Sequence, residues 1–141
     1  MIADISERCD TIEECYEFML AYAAQGLPSD EGSQSCGEIR GYLSRAVRAM
    51  SDLAESCAIA VERERLEPAQ PYHTFLAVLD RDAHDSLAAI ELVLAQRAIS
   101  SQLIDNLNAS IHLRALLTDL FLLSEIVDTQ RRAAKAMVSG G

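Results

Sequence analysis

The chain lacks tryptophan and has only three phenylalanines and four tyrosines in 141 residues, so it signals no stacking platform for bases or for a large planar cofactor. Lysine is almost absent: Lys135 stands alone beside eleven arginines, against 22 Asp and Glu. The resulting net charge of −10 repels phosphates, which argues against non-specific binding to nucleic acid or to an anionic membrane surface. No apolar run reaches the roughly 20 residues that a membrane-spanning helix needs. There is no P-loop, GxGxxG, HExxH or GxSxG, and the four cysteines, at 9, 15, 36 and 57, have no CxxC or other metal spacing. The opening Met1-Ile2-Ala3-Asp4 is neither basic nor followed by an apolar stretch, so the expected location is cytoplasmic and the expected thiols are free.

Glycine and proline are also scarce, and their places punctuate what is otherwise helical periodicity. Ile2, Ile5, Cys9, Ile12, Tyr16, Met19 and Ala23 recur at alternating steps of three and four, which predicts a first helix over about 5–25 that Gly26 and Pro28 terminate. Residues 26–34, GLPSDEGSQ, read as a loop, and Ser35 with Glu38 makes a capping box for a second helix over about 35–66. Its seam is Ile39, Leu43, Ala46, Met50, Leu53, Cys57 and Ala60. Glu67-Pro68 stops that helix, and Pro71 suits the first turn of a third, over about 71–98. No Gly or Pro occurs from Tyr72 to Ser139, yet one helix of that length would run about 100 Å, so a tight turn is expected at 98–101 with Ser100 or Ser101 as N-cap. A fourth helix then covers about 101–137, with Arg131, Arg132 and Lys135 near its negative end.

No strand pattern competes. Four long helices with short connections predict one domain, residues 1–141, folded as an antiparallel up-down-up-down four-helix bundle. The oiliest stretch lies in the last helix: ten of the fifteen residues in Leu113–Val127, LRALLTDLFLLSEIV, are apolar. Such a helix is apolar around most of its circumference, as in helices with neighbours on every side. Three companions leave part of it uncovered, so Leu113, Leu116, Leu117, Leu120, Phe121, Leu123 and Val127 are expected to form a dimer interface.

The charged pattern offers fewer chemical options. No Glu-x-x-His pair of the di-iron kind exists. Asp80 and His84 share a helical face at i, i+4, with Asp85 and Glu91 nearby and His112 on the next helix, and these five are the candidate metal ligands. The competing reading is an acidic solvated face. Cys36 falls in the first turn of the second helix, where a helix N-terminus lowers a thiol's pKa, and is the candidate reactive thiol. Asp105, Asn108 and His112 form a polar line on the last helix that would set register or respond to pH. The first 35 residues hold eight acids against Arg8 alone, so one end of the fold should be negative.

Two functions follow. The first is a non-enzymatic accessory or adaptor protein, homodimeric and acting through protein–protein contact, with no cofactor signalled. The alternative is a bundle that binds a metal or small ligand at the acidic/His cluster.

Overall fold

The computed structural model describes residues 3–31 and 38–140 and is all-α, with six helices and no strand among the described residues. They are α1 (Ala3–Ala24), α2 (Glu38–Met50), α3 (Leu53–Arg63), α4 (Ala69–Leu94), α5 (Ser101–Ala109) and α6 (His112–Gly140). Two of the four expected helices are therefore each divided in two.

The first division falls at Ser51-Asp52. Ser51 N still donates to Val47 O at 3.1 Å, but Asp52 turns left-handed (φ 59°, ψ 20°) and Ser56 N donates to Asp52 O at 2.9 Å to start α3. Aspartate tolerates this region better than most residues. From α1, the Arg8 guanidinium donates to the carbonyls of Ala49 (3.2 Å) and Ser51, covering acceptors that the end of α2 leaves without a helical donor. The apolar seam crosses the break unharmed, because Met50 and Leu53 are both buried.

The second division falls at Ser110-Ile111, where Ile111 has φ 62° and is 57% exposed. A continuous helix could not bury this stretch. Ile104 and Leu113 are both core residues, and nine helical steps would turn them about 180° apart. The left-handed residue resets the phase so that Ile104 and Leu107 on α5, and Leu113 and Leu116 on α6, all face inward.

α1 shows a smaller departure. Ile5, Ile12, Cys15, Met19 and Tyr22 are its buried residues, while Cys9, Tyr16 and Ala23 of the expected seam are half-buried. A straight helix of 3.6 residues per turn drifts off a 3.5-residue repeat, and α1 has to face α2 on one side and α5 and α6 on the other. The other principal contacts are α4 with α6, α3 and α2.

One end of the molecule is held by polar bonds. The Tyr22 hydroxyl donates to Ile99 O (2.6 Å), Ser101 Oγ donates to Tyr22 O (2.6 Å), and Leu27 N donates to Ser101 Oγ (2.8 Å). Asp30, 2% exposed, accepts from Ile99 N (2.8 Å) and Arg40 Nε (2.7 Å). Arg40 also donates to the carbonyls of Leu94, Gln96 and Arg97, closing the C-terminal end of α4. Ser100 caps α5 by accepting from Leu103 N.

Candidate functional site

The periodicity of α6 sorts its side chains into two faces. Leu113, Leu116, Leu117, Leu120, Leu123 and Val127 point inward and are at most 5% exposed. This corrects the expectation that they form a dimer interface: α1, α4 and α5 already cover them within one chain, so a second copy has no access to them. Phe121 is the one member of that set left outside, at 47% exposure. Leu122 (50%) and Ile126 (37%) stand beside it on the outward face, and neither was in the expected set. The signal that would have found them was available: in a helix apolar all round, residues out of phase with the 113/116/120/123/127 seam must face away from it.

Phe121 lies against α1. Together with Leu120 and Ser124 it lines a cleft of about 180 Å³ whose other wall is Ile5, Ser6, Cys9, Asp10 and Glu13. On the other flank of α6, Asp119 meets Asp82 of α4, carboxyl to carboxyl. Burial, then the hydrogen bond and charge of Asp82, push Asp119 up to about 7. Asp119 Oδ2 and, one turn along α4 from Asp82, Ser86 Oγ are buried without a hydrogen-bond partner.

The elbow between α2 and α3 forms a second concavity. A cleft of about 360 Å³ has Met50, Leu53, Ala83 and Leu87 as its apolar lining and Asp52, Glu55, Asp80 and His84 as its ionisable groups. His84 Nδ1 lies 2.8 Å from Asp80 O and 3.2 Å from Asp80 Oδ1. That hydrogen bond and the Asp80 charge raise the His84 pKa above its ordinary value. Of the five candidate metal ligands only this pair is in contact. Asp85 and Glu91 are exposed elsewhere on α4, and His112 is half-buried at the start of α6. Among the described residues no three His, Cys, Asp or Glu side chains converge to hold a metal ion. Asp105 and His112 fall on different helices, so the polar line is broken at Ile111.

Cys36, the candidate reactive thiol, lies outside the described residues. Burial pushes Cys15 and Cys57 up to about 12, and burial with Glu13 and Asp10 pushes Cys9 up to about 11. These three are protonated at neutral pH and behave as small apolar groups. Among the described residues no helix is long and apolar enough to cross a membrane. No protein-family model, curated protein or solved structure matches the chain.

Proposed function

We propose that the protein is a non-enzymatic, cytoplasmic accessory or adaptor module that pairs with a second copy through the outward face of α6. The observation that carries this is the placement of Phe121, Leu122 and Ile126 together at the surface of a helix whose inward face is already packed. Large apolar groups grouped on one exposed face mark interaction surfaces more often than single scattered ones do. The scaffold is an antiparallel bundle of four legs, α1, α2–α3, α4 and α5–α6. The end contacts support this: Arg8 near the start of α1 reaches the end of α2, Arg40 near the start of α2 reaches the end of α4, and Tyr22 near the end of α1 reaches Ser101 at the start of α5.

Light scattering tests the pairing. The wild-type chain should run as a dimer at about 0.1 mM. Leu122→Glu with Ile126→Glu should give a monomer of unchanged helical content, since both positions face solvent. A monomeric wild type at that concentration rules the reading out.

The second reading, a bundle that binds a metal or small ligand, rests on the elbow cleft and its His84–Asp80 pair. Elemental analysis of untagged protein tests the metal form, with less than about a tenth of an equivalent of any transition metal counting against it. A thermal-shift screen of small cations whose hits vanish in His84→Ala tests the rest.

A further inference from the structure

Asp119 of α6 meets Asp82 of α4. Twelve residues further along α6, Arg131 contacts Glu64, which precedes the start of α4 by five residues. The two helices therefore run in opposite directions, with Asp82 and Asp119 at one height. At about 100° per residue, Leu122 and Ile126 lie about 60° and about 20° around α6 from Asp119, so both sit on the flank turned to α4. Phe121 lies about 160° from Asp119 and belongs to the other flank, where it lines the α1 cleft. On α4, Val78 is about 40° from Asp82, which places it on the flank turned to α6.

Val78 precedes Asp82 by four residues and Leu122 follows Asp119 by three, which are shifts in the same direction between antiparallel helices. Val78, 45% exposed, therefore stands beside Leu122 and Ile126 on the solvent side of the α4–α6 contact. Half-buried Phe75 lies at the base of this patch. Leu92, 66% exposed and about 40° around α4 from Val78, continues it about 21 Å along the helix. Among the described residues, the exposed charges within about 60° of Val78 around α4 are Arg81 and Asp85, one of each sign. Glu125, at the rim on α6, is paired with Arg132 at 3.6 Å. The exposed acids Glu7, Asp10, Glu14 and Glu17 belong to α1, which packs on the other flank of α6.

We infer that two copies of the chain stack on this α4–α6 face about a two-fold axis parallel to the helices, α4 of each copy lying on α6 of the other. This rests on the reading of the protein as a dimer through α6, and specifies which flank of α6 is used and what it meets. An axis in that direction preserves heights along the helices, so Val78 of one copy rests on Leu122 and Ile126 of the other. The same contact then recurs with the copies exchanged, as an isologous interface requires. Charge selects a second copy as the occupant. Each chain carries −10, so two copies approach with least repulsion where exposed acids are few, and this face offers one base and one acid. A strongly basic partner would find its counter-charges on α1 instead. The size also suffices. From Leu92 to Ile126 the patch runs about 25 Å along the helices and about 20 Å across two of them, so a pair covers about 1,000 Å², where specific interfaces begin.

Analytical ultracentrifugation of full-chain variants tests the face. Val78→Glu, a change on α4, should weaken dimerisation at least about tenfold, because the pair would bury an unpaired charge twice. Leu92→Glu should act in the same direction, and its greater exposure keeps the test open where Val78→Glu perturbs folding. Leu20→Glu, equally exposed but on α1, should dimerise like wild type. Cross-linking tests the axis. In a Cys36→Ser chain, a Val78→Cys variant mixed with a Leu122→Cys variant and oxidised by glutathione disulfide should give more covalent dimer than either variant alone. If both α4 variants dimerise as tightly as wild type while Leu122→Glu dissociates the dimer, the pairing through α6 stands and this inference alone falls. More covalent dimer from either cysteine variant alone than from the mixture overturns the axis. A wild type that stays monomeric at about 0.1 mM removes both readings and leaves the face to a different protein.

Discussion

Two aspartates in this protein are held in opposite ways, and each predicts a pH dependence of opposite sign. Burial works to raise the Asp30 pKa, but the Ile99 amide and Arg40 outweigh it and hold the carboxyl below its ordinary value. A depressed carboxylate contributes stability above its unfolded pKa, and that contribution is lost as the pH falls through the folded value. Asp30→Ala should therefore cost about 2–4 kcal/mol at pH 7 in urea unfolding, since Arg40 and the Ile99 amide are left without their acceptor, and the difference from wild type should shrink in acid. Asp119 is the reverse case, raised to about 7 by burial and then by Asp82. Between roughly pH 4 and 7 the native state keeps a proton that the unfolded chain releases, so stability falls across that window as the pH rises. Asp119→Asn should remove the slope and stabilise by about 1–2 kcal/mol at pH 8, a figure discounted for partial exposure. An unchanged slope would show that the two carboxyls are not coupled. The sequence marks Asp119 as an interruption of an apolar run, but its counterpart, Asp82, lies 37 positions earlier in an acidic stretch with nothing to set it apart.

At the scale of elements, two breaks differ in how far the sequence announces them. The α5–α6 break is written in the phase of the apolar residues, since Ile104 and Leu113, nine positions apart, would point to opposite sides of one helix. The α2–α3 break leaves no such trace, because Met50 and Leu53 keep the regular step of three across it. Only Ser51-Asp52, both modest helix formers, hints at it, and the deciding contact is made by Arg8 from another helix. The two hinge residues also differ in strain. A β-branched side chain at φ 62° is held in an unfavourable region, whereas Asp52 tolerates its own. Ile111 is 57% exposed, so Ile111→Gly loses little burial, and it should stabilise the protein by about 0.5–1 kcal/mol. Denaturant midpoints for Ile111→Gly and Asp52→Gly, compared side by side, check this: the gain should be larger at 111.

For the whole molecule, the end of α6 and the core should respond separately. Among the described residues a chain ended at Asp128 loses none that is buried, because everything from Thr129 to Met137 is exposed, and it gives up the ion pair of Arg131 with Glu64. Surface pairs of this kind contribute about 0–1 kcal/mol. The shortened chain should melt within a few degrees of the full one. A large loss of melting temperature would mean that the α6 end supports the core directly.

Composition and periodicity alone determined that this chain is helical, which residues of 39–60 make a buried seam, and that the longest stretch without Gly or Pro is divided by a helix start at Ser100 or Ser101. These depend on spacing along one chain, which sequence records directly. The tertiary structure alone decided that α6 is satisfied by its own chain, that Phe121, Leu122 and Ile126 are what remains outside, and that Asp82 meets Asp119. Those outcomes depend on which helices become neighbours and on how far each is rotated about its axis. At Ile111 a single residue in the left-handed region resets that rotation for the helix that follows it.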